Sequence, residues 1–463
     1  MDLKKKYISN ASAQSLGRVC TMGANFVVFI LAARLLGTEL FGQYSYITVF
    51  LGLAILVAEF GTTSVLAADI GRIVEEAPVY WGNFLILRLL ITLIVIVAAI
   101  PIAWLVRPDL FSSLLVGLLG LFFLGSRFFD ALFQVYGRPW YSFWGSALYA
   151  VVFALFSVVI LFLQRPLFDL IVIYVLANII YTLFAGWLSL SLLRPSFRWR
   201  WTIQKQILSI AVPVGISGIL TLVHTRADTF MLAAMKGDYA VGTYNSAYRF
   251  LDMAVIVAVM LSSPMLPILS KLAQGERDGL RRSYGRILEL LTSVIVPGAL
   301  LVPLVSGLFV DLLFGHAYWE VAPLLNIMAW IGVLSFYSLF NFVVLVAIRV
   351  VNFQMWLGAA TAILNVVLNY FFIPIFSFYG SAWTTLLVEC IFVLVSFLYI
   401  IKSIGNIFSL QIWWRIGAAC LLIFVVVHVS ASLTLPWRLT LAVVAWPGSL
   451  MLFKVPFWKT LSR

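Results

Sequence analysis

Long apolar runs separated by short polar breaks fill the chain from residue 13 to residue 454. A bilayer core asks for about 20 apolar residues per helix. Runs of that length predict helices at 13–33, 43–67, 82–106, 112–135, 142–163, 169–193, 207–234, 243–269, 286–312, 321–347, 354–373, 380–401, 412–430 and 438–454, fourteen spans in all. The runs are continuous, with no period-two alternation, which excludes a transmembrane barrel, whose strands alternate apolar and polar residues. The expected fold class is an all-α polytopic membrane protein of about 14 transmembrane helices.

One corner is used twice. LAARLLGTELFGQY, Leu31 to Tyr44, returns in thinned form as LAAMKGDYAVGTY, Leu232 to Tyr244, so that a shift of 200 places Ala33 on Ala233, Gly37 on Gly237, Gly42 on Gly242 and Tyr44 on Tyr244. Six spans separate the copies, and an even count keeps both corners on the same side. That predicts two parallel six-helix bundles, a repeat that in many carriers brings substrate to the interface between halves. The expected organisation is an N-terminal bundle over 1–193, a basic cytoplasmic linker over 194–206, a C-terminal bundle over 207–401 and two further helices over 402–463. No polar segment is long enough for a soluble domain.

Charge sets the orientation. With the amino terminus cytoplasmic, the inner segments hold twenty basic residues, among them Lys4, Lys5, Lys6, Arg72, Arg138, Arg194, Arg198, Arg200, Arg277, Arg349, Lys402, Lys454, Lys459 and Arg463; the outer turns hold five, Arg34, Arg107, Arg165, Lys236 and Arg438. By the positive-inside rule both termini are cytoplasmic, in the inner (plasma) membrane. The start, MDLKKKYISNASAQSLGR, follows its lysines with polar residues and lacks the apolar core of a cleaved signal, so the first span is expected to stay as an anchor.

Composition narrows the chemistry. The chain is 63% hydrophobic and 10% charged, with mean hydropathy +1.08, far from soluble proteins. A net charge of +12 would suggest nucleic acid in a soluble protein; here the basic residues are sorted by side of the membrane, and no nucleic-acid partner is expected. Cys20, Cys390 and Cys420 lie in apolar runs, and His224, His316 and His428 show no ligand spacing, so no disulfide frame, metal or cofactor is expected.

Arg18, Arg88, Arg127, Arg226 and Arg249 fall within apolar spans, where each costs about 2.5–3.5 kcal/mol at a helix centre unless it faces an interior or a wet cavity. Gln14, Arg18, Thr21 and Asn25 share one helical face, as do Arg127, Asp130 and Gln134; both stripes suit walls of one cavity. The seventh span carries Ser217, Thr221, His224 or Thr225, and Asp228, with Arg226 facing about 160° away from Asp228; the eighth carries Arg249 and Asp252, and the second and twelfth carry Glu59 and Glu389. An arginine fork binds phosphate or carboxylate through paired hydrogen bonds, so several around one cavity suit an anionic headgroup. The competing readings are internal ion pairs, Arg127–Asp130 and Arg249–Asp252, and headgroup snorkelling for Arg18 and Arg88. Glu59, Asp130 and Asp228 are the candidates for proton or sodium coupling. Pro213, with Gly215 and Gly218, marks a hinge candidate in the seventh span.

Five segments carry a family resemblance: AARLLGTELFGQYSY after the first span, EFGTTSVLAADIGR (Glu59 to Arg72), RADTFMLAAMKGDYAVGTYNSAYR (Arg226 to Arg249), FGHAYWEVAPLLNIMAW (Phe314 to Trp330) and ILNVVLNYFFIPIFSFYGSAWTTLLVE (Ile363 to Glu389). In these the chain resembles the polysaccharide-transport, or oligosaccharide flippase (Wzx-like), family of the multidrug/oligosaccharidyl-lipid/polysaccharide exporter superfamily. The resemblance implies two six-helix bundles around a cavity, alternating access, and movement of a polyprenyl-diphosphate-linked oligosaccharide to the outer leaflet. It implies that Arg18, Arg127, Arg226 and Arg249 contact diphosphate or sugar, and that a polymerase and glycosyltransferases of a polysaccharide pathway are partners beside the glycan and the bilayer. The alternatives are an ion-coupled multidrug exporter of the same superfamily, a lipid II flippase, and, from another class, a membrane-embedded glycan or lipid transferase. No clustered catalytic constellation supports an enzyme.

Overall fold

A computed structural model describes residues 2–70, 76–275, 277–407, 410–429 and 435–452. Arg72, Lys454, Lys459 and Arg463 lie outside the described residues, as do the side chains of Lys4, Lys5, Lys6, Gln14 and His428. The described residues are helical almost throughout and contain no strand. In hydrocarbon every backbone N–H and C=O has to be satisfied within the protein, and a helix does so within one segment.

The first helix, α1 (Asp2–Glu59), shows how one run holds two spans. Its 58 residues would extend about 87 Å in a straight line, nearly three times the hydrocarbon core. The break falls at Gly37, at φ 78° and ψ 170°. Phe29 and Phe41, about 18 Å apart along an unbroken helix, meet edge to face at 4.9 Å, so the chain reverses there. Gly237, inside α9 (Trp201–Ser262), takes φ 77° and ψ −174°. The sequence repeat is thus a backbone repeat, in a region of φ/ψ space that essentially only glycine enters.

Other corners recur as well. The chain passes from α1 through α2 (Thr62–Asp69), α3 (Ala77–Val106), α4 (Phe111–Leu119), α5 (Leu121–Leu124), α6 (Phe128–Val135), α7 (Pro139–Phe162) and α8 (Leu167–Leu190) to α9. After α9 come α10 (Met265–Gly275), α11 (Arg277–Leu313), α12 (Val321–Ala347), α13 (Val351–Ile404), α14 (Leu410–Val429) and α15 (Leu435–Leu452). The left-handed residue after α6 is Gly137, φ 66°, and the one after α12 is Arg349, φ 62°. Likewise Gln164, φ 50°, follows α7, and Ser377, φ 54°, divides α13.

Among the described residues nine helices are long and apolar enough to cross a bilayer, ten when the bent pair Pro108–Leu119 and Leu121–Val135 is taken as one span. Leu16–Glu59 and Val351–Ile404 each contain a corner, and α14 and α15 follow; the total is consistent with fourteen. Side chains such as Ile94, Val97 and Leu105 leave an apolar face of α3 exposed, while Tyr80, Phe84, Leu87 and Val95 are buried. A helix apolar on both faces is what lipid contact requires.

By internal packing the chain forms two units, Met1–Phe230 and Met231–Arg463. The first takes in the segment between α8 and α9 and α9 as far as Phe230. That segment is strapped down: Asn83 of α3, fully buried, donates to Arg198 O at 2.8 Å and accepts from Arg200 N–H at 2.9 Å and from Gln204 Nε2 at 3.1 Å. Arg200 also pairs with Glu76 at 2.6 Å. Further along α9, Gly215 meets the backbone of Phe60, where an added Cβ would stand 2.9 Å from the carbonyl. The helix runs through Pro213 unbroken as far as Lys236, and its small residues serve this close approach. In the second unit a core of Leu280, Leu288, Phe340, Val344 and Ile400 encloses a polar chain in which Tyr284 donates to Asn341 and Asn341 to Ser396.

The fourth predicted span, 112–135, is not one straight helix. It bends by 63° between α4 and α5 and breaks again before α6. Arg88, expected to snorkel, is 1% exposed and fills the break: its guanidinium donates to Gly125 O at 2.8 Å and to Ala58 O at 3.0 Å, beside Thr62 Oγ1 at 3.4 Å. One buried cation satisfies carbonyls freed at two helix ends, which is the condition for broken helices in a membrane.

Candidate functional site

The break in the fourth span opens onto a polar cavity of about 670 Å³ inside the first unit, within the range of small-molecule sites. The first limb of α1 contributes Arg18, Thr21 and Asn25; the end of α1 and α2 contribute Glu59, Thr63 and Ser64; the segment around α6 contributes Arg127, Asp130 and Gln134. The facing wall is Ser142, Ser146 and Tyr149 of α7 with Tyr174 and Asn178 of α8. Arg18, Thr21 and Asn25 share one face because they step by three and four, and so do Arg127, Asp130 and Gln134.

Arg127 is held from three sides. It donates to Ser146 Oγ at 3.0 Å, and its guanidinium carbon stands 4.4 Å from the Tyr181 ring centre and 5.3 Å from that of Tyr149, within cation–π range. Asp130 approaches to 3.9 Å, an ion-pair distance longer than a hydrogen bond, and accepts instead from Tyr181 OH at 2.9 Å. Tyr149 OH reaches back to Asn25 Oδ1 at 3.1 Å, tying α7 to α1. Arg127 and Asp130 keep 37% and 30% of their side chains accessible. They form a partly wet pair from which the arginine can still donate. Two arginines and two carboxylates line the cavity, so its formal charge is balanced when all are ionised.

Residues 7–273, more than half of the chain, match the family described as polysaccharide biosynthesis protein. The chain belongs to that family. It is 24% identical over 350 residues to the lipopolysaccharide biosynthesis protein WzxC of Escherichia coli (strain K12), covering 72% of this chain and 68% of the relative. In fold it is similar to the lipid II flippase MurJ in an inward closed conformation, with TM-score 0.74, 13% identity, and 98% and 100% of the two chains covered. It is also similar to the inward-facing conformation of a multidrug resistance MATE family transporter of the MOP superfamily, with TM-score 0.67, 16% identity, and 86% and 98% covered. The family named from the five sequence segments is therefore the right one, and the protein is a multi-pass membrane protein of that superfamily's fold.

Arg18, Arg127, Glu59 and Asp130 line this one cavity. Arg226 and Asp228 are not among its lining residues; both sit in the first limb of α9, where Asp228 is buried and accepts from the Thr229 N–H at 2.7 Å. Arg249 belongs to the second unit. Glu389, in the second limb of α13, accepts from Ser338 Oγ at 2.6 Å.

Reading the charges alone missed the uncharged half of the cavity. Ser142, Ser146 and Tyr149 step by four and three along α7, and Tyr174, Asn178 and Tyr181 do so along α8. This is the spacing that marked the arginine stripes, carried by residues that cost less to bury. Gly145 lets Tyr181 of α8 pack close against α7, since an added Cβ would stand 3.0 Å from its ring.

Proposed function

We propose that this protein is a flippase, a carrier and not an enzyme, that moves a polyprenyl-diphosphate-linked oligosaccharide from the cytoplasmic to the outer leaflet by alternating access. The cargo is the repeat unit of an O-antigen, capsule or exopolysaccharide. What carries the reading is the polar cavity of the first unit, in which Arg18 and Arg127 stand among hydroxyls and amides inside a bundle that faces lipid. A glycan crossing unaided would be stripped of water at several kcal/mol per polar group; a polar cavity open to one leaflet at a time avoids that cost.

In this reading Arg18 and Arg127 receive the diphosphate, and Arg226 and Arg249 serve the headgroup elsewhere on its path. Ser146, Tyr149 and Tyr181 keep the Arg127 fork in place before the substrate arrives. Because the cavity is charge-balanced, a bound diphosphate diester brings it to about two negative charges; taking up two cations, as protons on Glu59 and Asp130 or as one proton and one sodium ion, restores the balance and frees Arg127 from its carboxylate. Substrate entry and cation uptake are coupled by that arithmetic, with Asp228 a third candidate. Both termini face the cytoplasm of the inner membrane, and glycosyltransferases and a polymerase act before and after the flipping step.

The second reading is a multidrug exporter, for which the same carboxylates and tyrosine rings would receive an aromatic cation. Complementation separates the two. A strain lacking the gene should accumulate lipid-linked repeat units on the cytoplasmic face and recover export with the wild-type chain but not with Arg127→Ala. Full export by Arg127→Ala at normal expression would overturn the proposal.

A further inference from the structure

A second basic pocket, of about 300 Å³, lies wholly within the second unit, at the end where α10 meets α11 and α12 meets α13. Arg277, Arg349, Gln274 and Ser403 supply its polar groups, and Leu280, Ile348 and Ile404 are among its apolar walls. The charge bias places this end at the cytoplasmic surface. Neither guanidinium forms an ion pair with a carboxylate among the described residues; the nearby Asp278 is engaged by Arg281 at 3.2 Å. Ser403 donates to Tyr399 O at 2.8 Å, which leaves its lone pairs available.

Arg349 holds its place at some cost. It is the left-handed residue that ends α12, with the Ile348, Arg349 and Val350 N–H groups bonded to Val344 O, Val346 O and Leu345 O. The end of α6 repeats this pattern: Tyr136, Gly137 and Arg138 bond to Leu132 O, Gln134 O and Phe133 O. There the left-handed residue is glycine, the usual choice; here it is an arginine whose head lines a pocket. Gln164 shows that a corner tolerates a side chain, so the conformation alone assigns no role. Two arginines that line one polar hollow with an apolar floor, neither ion-paired among the described residues, do.

We propose that Arg277 and Arg349 hold the phosphate of a lipid headgroup in this pocket. Paired forks suit phosphate oxygens, and the apolar wall suits the first carbons of the attached chains. Two sources offer this chemistry: the glycerophosphate of an anionic bilayer lipid, and the diphosphate of a polyprenyl carrier waiting on the cytoplasmic face. Only the second depends on the flippase reading.

The full-length protein in a neutral detergent is titrated with dioleoyl phosphatidylglycerol, with polyprenyl diphosphate and with dioleoyl phosphatidylcholine, and binding is read by native mass spectrometry. The wild-type chain should bind one or both phosphate probes at least tenfold more tightly than phosphatidylcholine. Arg349→Gly removes the fork while relaxing the corner, so it should fold at least as well and lose that preference; Arg277→Ala should lose it too, and Arg349→Lys should keep part of it. A preference for phosphatidylglycerol assigns the pocket to bulk lipid, and one for polyprenyl diphosphate assigns it to the carrier. Wild-type affinity for both phosphate probes in Arg349→Gly and in Arg277→Ala would overturn the proposal, whatever transport does.

Discussion

Replacing Arg88 with Met tests the claim that one buried cation holds the first unit's broken helices together. Methionine keeps a long flexible stem, so packing loss is small and the change removes mainly the guanidinium. Ala58 O and Gly125 O, bonded at 3.0 and 2.8 Å, are then left without a donor. A buried group that loses its partner costs about 1–3 kcal/mol, so the two carbonyls together cost about 2–6. Sparing a buried charge its desolvation offsets part of this, leaving a net loss of about 2–4 kcal/mol. For a unit of this size each kcal/mol moves the thermal midpoint by roughly 2–4 °C, so Arg88→Met should lower it by roughly 4–16 °C, read by intrinsic fluorescence of the purified protein in detergent. Gly125→Ala supplies the control, because its Cβ would stand 2.6 Å from Arg88 Nη2. It should be destabilising in the wild-type chain and nearly neutral in the Arg88→Met background, where the clash is gone. A midpoint within about 2 °C of wild type for Arg88→Met, or strict additivity of the pair, would refute the reasoning.

Gly37→Ala and Gly237→Ala should each cost about 1–3 kcal/mol through backbone strain alone, since nothing lies within 4 Å of an added Cβ at either corner; thermal midpoints check this, and an unchanged midpoint for both would remove the conformational argument. Gly82→Ala should be worse for a steric reason, its Cβ falling 2.1 Å from Ser196 O, and poor recovery of folded protein on size-exclusion chromatography is the expected sign. Asn83→Ala releases Arg198 O and Arg200 N–H, so trypsin should cut at Arg198 and Arg200 several times faster than in the wild type; an unaltered cleavage rate would mean that the strap is held by other contacts.

Hydropathy was enough to reveal the membrane class, the run of spans and the repeated glycine corner, because each is a local property: length of apolar run, or a backbone that only glycine adopts. Local reading stopped where the determinant was distant. The run Leu114 to Gly125 contains no proline and reads as an unbroken helix, yet the helix breaks after Leu124, where Arg88, more than thirty residues earlier in the sequence, supplies the donor for the Gly125 carbonyl. The same contact explains why Arg88 is buried, although its position near the start of its span suggested an exit to the headgroups. The basic segment 194–206 reads as a solvated linker by charge, and Asn83, an inconspicuous residue in α3, ties part of it down. At the cavity, periodicity placed Arg18 with Thr21 and Asn25, and Arg127 with Asp130, on the faces that line it. The tyrosines and serines opposite went unread because charge was the only flag followed.

The central claim is that guanidinium groups in the first unit's cavity receive a lipid-borne diphosphate and that the protein then exposes it on the other side. The direct measurement is flipping in proteoliposomes of a fluorescent polyprenyl-diphosphate saccharide, scored as the fraction protected from a membrane-impermeant quencher. The wild-type chain should exchange the probe between leaflets, Arg127→Lys should be slowed, and Arg18→Ala with Arg127→Ala should fall to the rate of empty vesicles while retaining the wild-type thermal midpoint within a few degrees. Wild-type exchange by that double variant, or no exchange above empty vesicles by the wild-type protein, would contradict the account.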